Sequence, residues 1–266
     1  MKKETMFEKR QRLMDVARAS LSNKYAGEEH AVMQAISSYL EVEKVRNQIF
    51  ERLEEWYSIY FPEFRPASPT SLARFVIEFG SDKKRAGSDE LRKVIGEGAD
   101  KVHSMIKESI GGEPGVEEYS TIKSMAEGEL SLLEVEKKID SYLEGSAKRI
   151  MPNITYLIDY KIAAELLAKA GSMQKLAMMP ASTVQLLGAE KALFKHIKFG
   201  TKPPKYGILY KLPQVVSAQK KQKGKIARMY ANKISIAAKA DAFSKNFIAE
   251  RLKADLDRAM KKPKKG

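Results

Sequence analysis

The 266-residue chain contains no cysteine. Disulfides, thiolate metal sites and a cysteine nucleophile are thereby excluded. The composition fits a reducing compartment, and the cytoplasm is the expected location. Histidine is scarce. His30, His103 and His196 stand far apart, without the spacing of metal ligands. No apolar run approaches the roughly 20 residues of a membrane span. The opening "MKKETMFEKRQRLM" lacks the uninterrupted apolar stretch of a signal peptide. Strand patterning and internal repeats are almost absent. There is no glycine-rich nucleotide loop and no carboxylate pair beside a nucleophile, so neither a cofactor nor an enzymatic activity is expected.

What the chain has is positive charge in one place. Residues 151–266 carry 24 Lys+Arg against 7 Asp+Glu, a net +17, while residues 1–150 are net −3. Solubility does not require such asymmetry. A basic field concentrated on about 116 residues attracts polyanions, and nucleic acid is the usual partner.

Helical periodicity dominates the rest. Residues 1–27 form an N-terminal segment with a rough apolar stripe over Met6–Leu21. From residue 28, Ile36, Tyr39, Val42, Val45, Ile49, Leu53, Trp56 and Tyr60 step by three or four, until three prolines in "YFPEFRPASP" stop the helix. Residues 70–115 read as short helices closed by the turn "GGEPG". A second long pattern follows through Ile122, Met125, Leu132, Ile139 and Leu143. Two long amphipathic helices with short helices between them predict an antiparallel coiled coil over 28–150 that carries the short helices at its tip; an ordinary helical bundle is the plainer alternative. Trp56 is expected to pack where coiled coil meets tip.

Pro152 in "RIMPNITYLIDY" opens a second domain, 151–260. Ile154–Ala170 predicts a buried helix stopped by Gly171. "MMPASTVQLLGAEKALFKHIK" predicts a loop and then a helix opening near Ser182 or Thr183, either of which can cap it. "FGTKPPKYGILYKLPQVV" reads as a loop with a short extended pair. An Ala-rich helix is expected from Lys225, then a final helix. The basic run 261–266 is expected to be a disordered tail.

The stretch "GSMQKLAMMPASTVQLLGAEKALFKHIKFGTKPPKYGILYKLP", followed by "KGKIARMYANKISIAAKADAFS", resembles the Nop domain, and "EEWYSIYFPEF" resembles the first coiled-coil helix of the same family. The resemblance covers roughly residues 28–260 and is strongest to the archaeal scaffolds of box C/D ribonucleoproteins. It implies an all-α fold, with a long coiled coil that self-associates into a homodimer and a Nop domain at one end. It also implies that the Nop domain grips a kink-turn of the box C/D guide RNA together with a ribosomal-type kink-turn-binding protein. A fibrillarin-type methyltransferase would then modify ribose 2′-hydroxyls in rRNA or tRNA, and the scaffold itself would do no chemistry. A spliceosomal-type Nop protein, or a general assembly factor for ribonucleoproteins, is the alternative. Family members usually carry an α/β domain ahead of the coiled coil that docks the methyltransferase. Only about 27 residues stand there in this sequence, so direct fibrillarin contact is less firmly implied than RNA binding. The Met6–Leu21 helix would either be a docking element or pack on the coiled coil.

The residues offer matching chemistry. Lys191, Lys195 and Lys198 fall on related faces of one helix and can line a phosphate backbone. Gly188 and Ala189 leave room for close approach, and Glu190 can accept hydrogen bonds from a partner protein or orient a lysine. Glu190 as a general base lacks any accompanying nucleophile. The hydroxyls of Ser182 and Thr183 suit a phosphate or a flipped nucleotide, or simply cap their helix. Lys205 falls where the family places a residue against RNA, and Tyr206 would stack on a base or join the core. Lys225, Arg228 and Lys239 are expected RNA contacts, with a solvated basic face as the bland alternative. Ile226, Ala227, Ile234 and Ala238 belong to the core. Val42, Val45, Ile49, Ile122 and Leu132 are candidates for the seam, within the chain or against a second copy.

Overall fold

The structure, a computed structural model, describes residues 5–25 and 27–261. The expected disordered tail lies outside the described residues, apart from Lys261 at the end of the last helix. Among the described residues every regular element is helical. In chain order they are α1 (Met6–Tyr25), α2 (Glu28–Tyr57), α3 (Pro69–Phe79), α4 (Ser88–Ile95), α5 (Ala99–Glu108) and α6 (Val116–Ile150). Then follow α7 (Pro152–Leu157), α8 (Tyr160–Ala170), α9 (Met173–Met178), α10 (Ala181–Leu186), α11 (Glu190–Phe199), α12 (Pro213–Val216), α13 (Lys220–Lys239) and α14 (Ala249–Lys261). Residues Lys83–Arg85 and Ile208–Lys211 are 3₁₀ turns, and Ala240–Ser244 is a π turn. The chain divides into two units, one of residues 38–140 and one of residues 1–37 with 141–266.

In the unit of residues 38–140 the core is aromatic. Tyr57, Phe61, Phe64, Phe75 and Phe79 interlock with ring centroids 4.8–6.1 Å apart, and Leu53, Leu72, Leu91 and Ile122 fill the space around them. Offset and tilted ring pairs of this kind add about 0.5–1.5 kcal/mol each beyond the area they bury. Trp56 packs on this cluster, half-buried. Ser68 and Ser71 cap α3 reciprocally, with Pro69 at its first position. Lys83 is buried, and its ammonium donates to the carbonyls of Tyr60, Gly111 and Gly112 at 2.7, 2.7 and 3.1 Å. That one cation closes the "GGEPG" loop onto the end of α2's chain. Gly111 is required there, because an added Cβ would fall 2.2 Å from the Tyr60 carbonyl oxygen.

Away from that core α2 and α6 run antiparallel, but they hold together differently from the expected apolar seam. From 41 to 52 no side chain is fully buried, and from 127 to 140 only Glu129 is. Val42, Ile49 and Leu132 are half-buried and Val45 is exposed, whereas Ile122 is wholly inside the aromatic core of its own chain. Arg46 reaches across to Glu129 Oε1 through Nε at 3.0 Å and Nη2 at 2.5 Å, and it also pairs with Glu136. The second oxygen of Glu129 is buried and has no partner among the described residues. Burial pushes the Glu129 carboxyl above its ordinary value, against the pull of Arg46.

In the other unit α13 is the central element, packed by α7, α9, α10 and α14. Its inward side is small (Ala227, Ala231, Ala237, Ala238) around Tyr230 and Ile234, so neighbouring helices approach closely. Ile226 is half-buried. The expected single helix over Ile154–Ala170 is two, because Asp159 caps a new start by accepting the N–H of Lys161 at 2.8 Å. Gly171 ends α8 in the left-handed conformation, as expected. Helix α13 starts five residues earlier than its apolar pattern shows, since its first turns, "KKQKG", carry no inward apolar face. No side chain of α1 from residue 6 to 18 is buried; its apolar residues Met6, Phe7, Leu13, Met14 and Val16 are open to solvent.

Candidate nucleic-acid interface

Three segments converge on one basic cavity. Helix α10 brings Ser182, Gln185 and Leu186, the loop before the second 3₁₀ turn brings Pro203, Pro204 and Lys205, and the start of α13 brings Lys221, Gly224, Lys225 and Arg228. The cavity is open to solvent and has a volume of about 500 Å³. Lys205, Lys221, Lys225 and Arg228 are exposed, and none is paired with a carboxylate among the described residues. Four uncompensated cations around one concavity make a ready seat for phosphates.

Gln185 fixes the shape of this cavity. It is buried, its side-chain amide donates to the Lys205 carbonyl at 2.6 Å and lies 3.5 Å from that of Gly224, and its own carbonyl receives the N–H of Gly207 at 3.0 Å. The N–H of Ile208 donates to Leu187 O at 2.7 Å. These backbone bonds replace the short extended pair expected for this loop. They require glycine at 207, where a Cβ would stand 1.9 Å from the Leu187 carbonyl oxygen.

The same clasp breaks the expected single helix at Leu187–Ala189. Gly188 takes φ +86, with Ile208 pressed against it so that an added Cβ would meet a side-chain carbon at 2.6 Å. The room at Gly188 is therefore used by the chain's own Ile208. Glu190 accepts the Gly188 N–H at 2.7 Å. Partial burial works to raise its carboxyl, but the N–H groups of Gly188 and Glu190 and the charge of Lys169 outweigh it and hold the group below its ordinary value. It is an ionised strut at neutral pH.

The hydroxyls of Ser182 and Thr183 do not cap α10. The cap is Pro180, whose carbonyl receives the N–H groups of Thr183 and Val184. Both hydroxyls stay exposed, Ser182 at the cavity and Thr183 outside its lining. Tyr206 stacks on Tyr210 at 5.0 Å and 17°, and Lys223 lies over the Tyr210 ring at 4.9 Å. Tyr206 thus has one face already covered by a ring of its own chain.

Lys191 and Lys195 belong to α11, a helix with no buried residue at all. Its exposed Phe194 and Ile197 form an apolar stripe one step around from Lys191, Lys195 and Lys198. These lysines do not line the cavity. Nor does Lys239, which shares a face with Arg228 but lies about 16 Å further along α13 at 1.5 Å per residue. The structure brings together Ser182, Lys205, Lys225 and Arg228 of the expected set. Sequence reasoning missed Lys221, which sits one helical turn before Lys225, and Gln185, whose burial no local pattern announces. Among the described residues no group of three or more His, Asp or Glu side chains could hold a metal ion, and no helix is long and apolar enough to cross a membrane.

The family profile described as "Nop: snoRNA binding domain, fibrillarin" matches residues 38–262. The chain belongs to the Nop family. An uncharacterized NOP5 family protein of Methanocaldococcus jannaschii is 38% identical over 85% of this chain and 55% of its own length. Nucleolar protein 56 of Dictyostelium discoideum is 37% identical over 82% of this chain and 42% of its own. Nucleolar protein 58 of Sclerotinia sclerotiorum is 37% identical over 80% and 38%. The chain thus spans about half the length, or less, of these relatives. A chain in the crystal structure of a fibrillarin/Nop5p complex shares the fold, with a TM-score of 0.50 and 24% identity over 94% of this chain and 75% of that one. The all-α architecture expected for a Nop protein is therefore the one observed.

Proposed function

We propose that this chain is a non-catalytic, RNA-binding scaffold of an archaeal box C/D guide ribonucleoprotein. It holds a kink-turn of the guide RNA together with the ribosomal-type protein bound there, and it supports 2′-O-methylation of rRNA or tRNA by a fibrillarin-type enzyme. The observation that carries this reading is the cavity between α10, the Pro203–Lys205 loop and α13, with its four unpaired cations. Two adjacent stripes on α11 support the composite character of the surface. The basic stripe, with Lys191 and Lys195, suits phosphates, and the apolar stripe beside it suits a protein. Glu190, with Gly188 and Ala189, belongs to the protein side of that junction. Thr183 and Lys239 extend the RNA face beyond the cavity. The family membership and the relatives' names point to the same class of particle.

Self-association would run along α2 and α6, where Val42, Val45, Ile49 and Leu132 keep apolar surface open; Ile122, committed to its own core, takes no part. The exposed apolar side of α1 offers a place for the methyltransferase. The test is a gel-shift titration of a kink-turn RNA with and without its kink-turn-binding protein, on wild type and on Lys225→Ala with Arg228→Ala. Tight binding only with the partner, lost in the double variant, is the expected result. Equal weak binding to any RNA, indifferent to the substitutions, would overturn the proposal, and methyl transfer by the isolated chain would overturn the scaffold role.

A further inference from the structure

The far end of α13 carries a second feature that the basic cavity does not use. Lys239 is about 21 Å along the helix axis from Lys225, and there the helix passes into the π turn Ala240–Ser244. π turns within helices are frequent at functional sites. The segment "FSKNF", from Phe243 inside that turn to Phe247 beyond it, is exposed throughout. Phe243 and Phe247 are 61% and 54% exposed, and Tyr156 of α7, edge-to-face with Phe247 at 5.6 Å and 89°, is 50% exposed. Tyr156 and Phe247 are in ring contact, and Phe243 stands four residues before Phe247 on the same exposed segment, so all three leave apolar surface in water.

This is not a loose loop. Asn153 and Asp241, both about 1% exposed, clamp it from below. The Asn153 amide donates to Asp241 Oδ1 at 2.7 Å and to the Asn246 carbonyl at 2.9 Å, and its oxygen accepts the Ile248 N–H at 2.7 Å. Asp241 also receives the N–H groups of Asn153 and Ile154, each at 3.0 Å. Lys245 takes φ +57, the one positive φ at a non-glycine among the described residues. Its ammonium donates to the Asp241 carbonyl at 2.5 Å. Phe243 and Phe247 are therefore presented on a fixed frame, with Lys245 between them in the sequence.

We infer that Tyr156, Phe243 and Phe247 form a stacking platform for single-stranded RNA, separate from the kink-turn cavity. Every base has a flat face that stacks on an aromatic ring without sequence preference, and positively charged surroundings track the backbone phosphates. Charge favours this occupant over a protein. The unit carries 33 Lys+Arg against 13 Asp+Glu. Its nearby carboxylates are engaged: Asp241 is buried, Asp159 caps α8, and Glu144 pairs with Lys148 at 2.6 Å. Glu250, opening α14, is the exposed acid that follows. Tyr156 also borders a cavity of about 450 Å³ with Thr155, Tyr160, Lys148 and Gln214, which has room for an unstacked base.

The inference rests on the RNA-binding reading above, and the experiment separates the two. Anisotropy titrations would use a labelled oligouridylate alone and, separately, a kink-turn RNA carrying its kink-turn-binding protein. Phe243→Ala with Phe247→Ala should weaken the oligouridylate about tenfold and leave the kink-turn affinity and the melting temperature unchanged. Tyr156→Leu, which keeps apolar bulk beside Phe247 but removes the flat ring, should weaken the oligouridylate too; a purely packing role would be satisfied by leucine. Oligouridylate bound equally by all variants overturns the platform. So does oligouridylate binding that falls only with Lys225→Ala and Arg228→Ala, or a double aromatic variant that loses a protein partner and no RNA. A chain that binds oligouridylate through these rings but ignores the kink-turn RNA would overturn the proposed function and keep the platform.

Discussion

Residues 38–140 hold 15 Lys+Arg against 21 Asp+Glu, while the other unit holds 33 against 13. The larger difference is in what the cations do. In the acidic unit Arg46 is spent on Glu129 and Glu136, and Lys83 on three backbone carbonyls. Both hold structure together. In the basic unit Lys205, Lys221, Lys225 and Arg228 surround a cavity and meet no carboxylate among the described residues. A cation's role is therefore read from its partners, not from its type. Arg46 and Arg228 are the same residue with opposite assignments.

That contrast can be broken most forcefully at Arg46. Arg46→Met leaves Glu129 buried and unpaired, and urea unfolding should show a loss of about 3–5 kcal/mol. Adding Glu129→Leu should restore most of it, because a buried ion pair and an apolar pair are often close in stability. RNA affinity per folded molecule should not change. The mirror experiment is Lys225→Ala with Arg228→Ala. It should leave unfolding within about 0.5 kcal/mol of wild type. It should lower the slope of log affinity against log salt by about 2 for the phosphates released.

Smaller effects sharpen the comparison. Gly207→Ala should cost about 1–3 kcal/mol, since the new Cβ meets the Leu187 carbonyl and the Gln185 clasp must shift. Because that clasp shapes the cavity, this variant should weaken RNA as well, which neither cation experiment does for both properties. Gly128, in the middle of α6, has nothing within 4 Å of an added Cβ. Gly128→Ala should stabilise the acidic unit by up to about 1 kcal/mol through helix propensity, with no effect on RNA.

Glu129 adds a pH signature of definite sign. Its carboxyl sits above the ordinary value because burial outweighs Arg46. The folded form then binds the proton more tightly than the unfolded one. Its contribution therefore improves as pH falls through the raised folded value toward the ordinary value of 4.5, and worsens as pH rises through the same window. The difference in unfolding free energy between wild type and the Arg46→Met, Glu129→Leu double variant, followed from neutral pH downward, should move in wild type's favour.

Much of this was legible in the residues. The step of three or four from Ile36 to Tyr60 marks α2, and the breakers Pro152 and Gly171 mark the start of α7 and the end of α8, because apolar spacing and φ restrictions act locally. The break at Leu187–Ala189 was not legible. It depends on Ile208 arriving from about 20 positions away and pressing on Gly188. The early start of α13 was hidden for a related reason, since "KKQKG" is helical without burying an apolar face. The seam along α2 misled because spacing shows which side chains could face a partner helix, not that Arg46 and Glu129 take the central place. Among the site residues, Ser182, Lys205, Lys225 and Arg228 met in space, while Gln185 needed tertiary hydrogen bonds to be seen at all.

The most direct test of the central claim is the salt dependence of kink-turn RNA binding, in the presence of the kink-turn-binding protein, for wild type and for Lys225→Ala with Arg228→Ala. The account predicts tight, partner-dependent binding with a steep salt slope, and a slope about 2 shallower in the variant. An unchanged slope, with affinity unchanged, would contradict the assignment of this cavity to RNA.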